Sequence, residues 1–145
     1  MNDSSQDNSL ALALEGLQQR LSASTPRTPL PVLIGASKTQ PTGKLEAAIR
    51  LGLKHFGENK VQEAQAKWPT LKATYPELRL HLIGPLQSNK AEDAVALFDV
   101  IQTVDRIKIA DALAKACEKM AKRPMLLIQV NIGCLLYTSP SPRDS

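Results

Sequence analysis

The sequence predicts an α/β fold built on a parallel sheet, and three observations predict it. Short apolar runs recur at 32–37, 55–57, 79–83, 100–103 and 125–130. Between them lie segments whose apolar residues fall at helical spacing, so strand and helix alternate four times before a fifth strand. The residues that close the strands are polar or small: Lys38, Asn59, Gly84, Thr103 with Asp105, and Asn131. Alternating short strands and amphipathic helices imply right-handed crossovers between parallel strands. Two architectures fit, a doubly wound open sheet or a (β/α)8 barrel. In a barrel the polar strand ends converge on one mouth.

The elements follow in order. Residues 1–8 are polar and are expected to be disordered. Ser9 is placed to cap a helix over about 10–22 with Leu10, Leu14, Leu17 and Leu21 on one face. A linker with Pro26, Pro29 and Pro31 leads into strand one. Pro41-Thr42-Gly43 forms a turn, and a helix over 44–54 turns Leu45, Ala48, Ile49 and Leu53 inward. Asn59 is expected to cap the next helix, with Gln62 three residues on as its capping-box partner. Pro69 is expected to break or restart that helix. Strand three ends at Gly84-Pro85, and a helix follows over about 89–98. Asp105 is placed to cap a helix over 106–121, with Ala110, Leu113, Ala114, Cys117 and Ala121 along its inner side.

Composition limits the function classes. The chain has 145 residues, 43% hydrophobic and 22% charged, a net charge of +4 and a pI near 9.2. That length suits one domain with a real core. Aromatics are only 3%, and no stacking platform or recognition motif for nucleic acid is visible. The basic charge reads as solvated surface with some preference for anionic small molecules. No apolar run approaches membrane-span length, and the polar N-terminus lacks the basic-then-apolar order of a signal peptide. Cys117 and Cys134 have no metal-type spacing. These features suit a reducing, cytoplasmic compartment, with no metal, no nucleic acid and no membrane partner. Neither G-x-G-x-x-G nor G-x-x-x-x-G-K-[ST] occurs, so no nucleotide-binding motif is present.

Lys38 carries the chemistry. It stands at the C-terminal end of strand one, after Val32-Leu33-Ile34-Gly35-Ala36-Ser37. An ammonium held there without a partner is costly, and desolvation would lower its pKa and make the amine a usable nucleophile toward an aldehyde. Taken alone, the stretch equally fits a lysine that extends from the strand end into water.

Four blocks decide between these readings: Ser37-Lys38-Thr39-Gln40-Pro41; His55-Phe56-Gly57-Glu58-Asn59-Lys60-Val61-Gln62-Glu63; His81 through Lys90; and Ile101 through Arg106. With Gln129-Val130-Asn131-Ile132-Gly133, they resemble the pyridoxal phosphate homeostasis proteins, a family similar to the barrel domain of bacterial alanine racemase. The resemblance covers about 9–133. It implies the N-terminal part, about five strands, of a (β/α)8 TIM barrel that binds pyridoxal 5′-phosphate (PLP), with Lys38 forming the Schiff base. It also implies Asn59, His81 and Gly84 as cofactor-binding residues and no dedicated catalytic residue. By strand alternation His81 points into the barrel, where a satisfied core histidine is as good a reading as a cofactor contact. Glu58 would hold the loop after strand three in place. The implied function is PLP homeostasis, with PLP-dependent apo-enzymes as recipients and a monomeric native form.

Residues 134–145, Cys134-Leu135-Leu136-Tyr137-Thr138-Ser139-Pro140-Ser141-Pro142-Arg143-Asp144-Ser145, have no strand–helix pattern and do not resemble the family. They are expected to be a non-native tail on a C-terminally truncated chain. Such a chain is expected to fold poorly alone and to retain PLP weakly, because a barrel of this type binds phosphate with its last loops. Two other functions compete with a PLP carrier. A racemase needs acid/base groups on both faces of the substrate, and neither Tyr75 nor Tyr137 is placed to be the second. An anion- or nucleic-acid-binding module has only the pI behind it. A truncated inactive fragment is the remaining possibility.

Overall fold

Five parallel strands lie in strict sequence order in a computed structural model that describes residues 3–24 and 29–133. The strands are β1 (Ile34–Ala36), β2 (His55–Glu58), β3 (Arg79–Leu82), β4 (Val100–Val104) and β5 (Met125–Ile128). They are connected through helices α2 (Thr42–Arg50), α3 (Val61–Thr74), α4 (Ala91–Leu97) and α5 (Ile107–Met120), with α1 (Asp3–Ser24) ahead of β1. A doubly wound sheet reverses its strand order at a switch point. Here the order never reverses, so right-handed crossovers lay successive helices on one face. This is the winding of the N-terminal part of a (β/α)8 barrel. Neighbouring helices touch in turn, α1 with α2, α3 with α4, and α4 with α5.

The two faces of the sheet have different chemistry. Phe56, Leu80, Leu82 and Ile101 point toward the helices and are fully buried with Trp68, Leu71, Ile109 and Leu113. The opposite face carries His55, His81 and Gln102, joined to one another by hydrogen bonds. Among the described residues strand β5 has no partner beyond it, and Ile128 is 78% and Leu126 40% exposed. Among the described residues no helix is long and apolar enough to cross a membrane.

Several local expectations are corrected. The first helix starts at Asp3, so residues 3–8 are helical rather than disordered. Asp7 near its N-terminus complements the helix dipole, and polar residues on a solvent face do not stop a helix. Leu14 is buried and Leu10 half-buried, but Leu17 is exposed. Pro69 sits inside α3 without ending it. Its ring lies on the exposed side, while Trp68 and Leu71 fix the helix against the core. The buried stripe of α5 is Ile109, Leu113 and Ala116, whereas Ala110 and Ala114 face solvent. In α2 and after it, Leu45, Ala48, Ile49 and Leu53 are buried as expected. The tail and its residues Cys134 and Tyr137 lie outside the described residues.

Candidate functional site

Three strand ends finish at one level. The Ser37 N–H donates to the Gly57 carbonyl (2.9 Å) and the Ile83 N–H donates to the Glu58 carbonyl (2.9 Å). Lys38, Asn59 and Gly84 are the residues immediately beyond those last ladder bonds. They therefore stand side by side at the C-terminal ends of β1, β2 and β3.

Lys38 is exposed and opens a turn in which Thr39 takes a φ of 59°. A threonine in this left-handed region costs on the order of 1–3 kcal/mol, which the Gln40 N–H bond to the Ser37 carbonyl (3.2 Å) closing the turn helps to offset. The Lys38 ammonium has no hydrogen bond or ion pair among the described residues. It is a free amine at the mouth and not a desolvated one.

Asn59 does not cap α3. Lys60 occupies the N-cap position, and no side chain bonds to the helix start there. The β-strand hydrogen bond at Glu58 carries the chain one residue further before it turns, which leaves the half-buried Asn59 amide without a partner among the described residues. Asp105 likewise does not cap α5, because Arg106 is the N-cap and its guanidinium takes the Asp105 carboxylate (3.0 Å).

Gly84 has a structural reason to be glycine. A Cβ there would run into the Asn59 carbonyl oxygen and lie 2.8 Å from the Asn59 Cα. Both are backbone atoms that no rotamer change can move. Gly84→Ala is therefore expected to push the ends of β2 and β3 apart and to destabilise the chain by about 1–3 kcal/mol. Urea unfolding checks this, and an unchanged midpoint would mean the approach is not close.

His81 is set apart from these three. It pairs in register with Gly57, within the sheet and below the mouth. Both of its ring nitrogens are engaged. Gln102 Nε2 donates to Nδ1 (3.0 Å), so the His81 proton sits on Nε2 and is donated to His55 Nδ1 (3.0 Å). Desolvation lowers the pKa of both histidines. Arg79 and Lys54 add to it at His55 and His55 adds to it at His81, while Asp99 opposes the shift at each. The folded values lie below 6.5, so the unfolded chain binds more protons as the pH falls through that value. The pair thus contributes stability at neutral pH and above, and that contribution is lost on acidification below 6.5. The chain has only these two histidines. Its Tm is expected to fall between about pH 7.5 and about pH 5.5, and a His55→Gln/His81→Gln variant is expected to flatten that fall. An equal fall in the variant would assign it to other groups.

A second cluster lies on the helix side of the same strand ends. Glu58 is 0% exposed, and one of its oxygens accepts from Trp68 Nε1 (2.8 Å), Ser37 Oγ (3.0 Å) and Lys67 Nζ (2.7 Å). Lys67 also donates to the Ser37 carbonyl (2.9 Å) and lies 3.6 Å from Glu63. Glu63 accepts the Thr39 N–H. That hydrogen bond, then the Lys67 ammonium, hold the Glu63 carboxyl below the ordinary carboxylate range against the opposing effect of desolvation. Glu58 ties β2 to the end of β1 and to α3 through these bonds, rather than to the loop after β3. Lys67, Trp68 and the role of Glu63 were not anticipated, although Glu63 and Lys67 stand four apart on one helix face, a spacing that pairs opposite charges. His55 and Gln102 were also missed, because only the strand register brings them to His81.

Comparisons with known proteins identify the family to which this winding belongs. Residues 21–135 match the family model of the alanine racemase N-terminal domain, so the chain belongs to the alanine racemase N-terminal domain family. Among curated relatives, the pyridoxal phosphate homeostasis protein of Vibrio alginolyticus is 42% identical over 108 residues, covering 72% of this chain and 46% of that protein. The protein of the same name from Synechocystis is 38% identical over 100 residues, covering 69% and 45%. The chain thus spans less than half the length of these relatives. PipY of Synechococcus elongatus, solved without PLP, superposes with a TM-score of 0.77 at 38% identity, over 94% of this chain and 57% of that one. The same protein with PLP bound gives 0.73 at 36% identity, over 93% and 59%.

Proposed function

We propose that this chain is part of a protein that holds PLP through Lys38 and serves PLP homeostasis in the cytoplasm, without strong catalysis of its own. The observation that carries the reading is the Lys38 amine at the end of β1, without a partner among the described residues, beside the similarly unpartnered Asn59 amide and the side-chain-free Gly84. PLP, when bound, supplies an aldehyde that a primary amine can take up and an electron-withdrawing ring. Lys38 supplies that amine, Asn59 offers a donor and an acceptor next to it, and Gly84 keeps the neighbouring strand end free of a side chain. His81 lies beneath them on the open face and stiffens the floor through His55 and Gln102. Residues 9–133 act as one barrel part in this reading, and apo-enzymes that need PLP are the recipients.

The names of the relatives and the PLP-bound state of PipY support the cofactor. A racemase needs a second acid/base group across the cofactor from the lysine. Tyr75 is the C-cap of α3, ahead of β3 and at the end of the sheet opposite Lys38. The test is incubation with PLP, borohydride reduction and peptide mapping. Modification concentrated at Lys38 is expected. Modification spread evenly over exposed lysines such as Lys44 and Lys60 would overturn the reading.

A further inference from the structure

We infer that Glu58, Glu63 and Lys67 form a clamp that sets the position of Lys38, acting as positioning residues on the backbone to either side of it. The inference rests on the proposed role of Lys38 for its consequence, but its geometry stands by itself. Among the described residues no hydrogen bond or ion pair grips the Lys38 side chain, so its direction there is set through its own backbone. On one side, every polar group of Ser37 is bound. Its carbonyl accepts from Lys67 and from the Gln40 N–H that closes the turn, its hydroxyl reaches Glu58 and the Gly57 carbonyl, and its N–H donates to the Gly57 carbonyl. On the other side, the Thr39 N–H is bound by Glu63. The two peptide groups flanking Lys38 are therefore tied to β2 and α3, and Lys67 links both ties by reaching Glu58 and Glu63 together.

Core stability alone does not account for this cluster. A fully buried carboxylate sharing one oxygen among three donors is a poor way to stabilise a core, since apolar residues of similar volume commonly do as well or better. The second oxygen, Glu58 Oε2, is buried with no partner. What the cluster achieves is local. Together with the Gln40–Ser37 turn bond it holds Thr39 at a positive φ, and that conformation turns the chain at Lys38 toward the mouth.

The test uses the full chain and two readouts, hydrogen exchange at the Thr39 amide and the share of borohydride-trapped PLP found on Lys38. Glu63→Gln is the first variant because its side chain is partly exposed and its loss leaves the core untouched. It is expected to speed Thr39 exchange by about tenfold, the effect of weakening one charge-assisted hydrogen bond. Exchange at Leu80 and Leu82 is expected to stay unchanged, and the Lys38 share is expected to fall toward that of Lys44. Lys67→Met is expected to do the same, and Lys67→Arg to restore both readouts, which a purely structural role would not require. Unchanged Thr39 exchange and Lys38 share in both Glu63→Gln and Lys67→Met would overturn the clamp. If wild-type Lys38 is not trapped but Thr39 exchange still responds, the clamp stands and the cofactor reading falls.

Discussion

Lys38→Ala is expected to abolish the reducible PLP linkage, leaving only the background found on surface lysines. The physical argument is that PLP needs an unhindered primary amine at a fixed place. Lys38 offers one at the level where β1, β2 and β3 end together. Other lysines are either spent or remote. Lys67 is committed to Glu58 and the Ser37 carbonyl, and Lys72 to Asp99 and the Leu97 carbonyl. Lys44 and Lys60 are exposed but belong to helix starts rather than to a strand end. Lys38→Arg sharpens the test. Arginine keeps the positive charge but does not deprotonate in proteins, so it should retain ionic attraction for the phosphate while giving no reducible bond. Both variants should fold as the wild type does, within about 0.5 kcal/mol, because an exposed side chain without partners contributes little to stability. Trapping that survives in Lys38→Ala would move the site elsewhere.

The strand–helix alternation was legible because short apolar runs and helical stripes differ in period, and both survive in a sequence with few aromatics. What periodicity could not decide was the sheet's winding. Strand order is a long-range property, and only the unreversed pairing of β1 to β5 separates a barrel from a doubly wound sheet. The site was legible to the same depth. Lys38, Asn59 and Gly84 sit at strand ends, and strand ends can be read from local sequence. His81 could be assigned to a face by alternation, but its partners His55 and Gln102 come from two other strands. Their pairing requires the register. The expected caps failed for a related reason. Asn59 and Asp105 have the right chemistry, yet the ladder bond at Glu58 and the Arg106 guanidinium fix the chain one residue past the capping geometry. The start of α1 is not legible because its polar composition is also that of a disordered terminus, and a helix that docks through Leu10 and Leu14 needs few apolar residues.

Trp68→Ala is expected to cost about 3–5 kcal/mol, the range for emptying a large buried aromatic site. A domain of this size has about 5–15 kcal/mol in total, so the variant should be substantially unfolded under mild denaturant. Trp68 is 0% exposed, packs on Phe56 with ring centroids 5.1 Å apart, and is the only tryptophan in the chain. Its indole N–H is also one of the three donors that keep the Glu58 carboxylate tolerable inside the core. Removing the ring therefore empties volume and weakens the charge network in one step. Trp68→Phe separates the two effects. It keeps most of the volume and the contact with Phe56 but withdraws the donor, and is expected to cost about 1–3 kcal/mol. Urea unfolding followed by circular dichroism gives both values, since the fluorescent reporter is absent from both variants. A cost for Trp68→Ala no greater than that for Trp68→Phe would mean that the ring's volume contributes nothing. The core between β2 and α3 would then have to be attributed to the Glu58 hydrogen bonds alone. The expected ordering instead makes packing the larger contribution, with the carboxylate network tying that packed layer to the turn that carries Lys38.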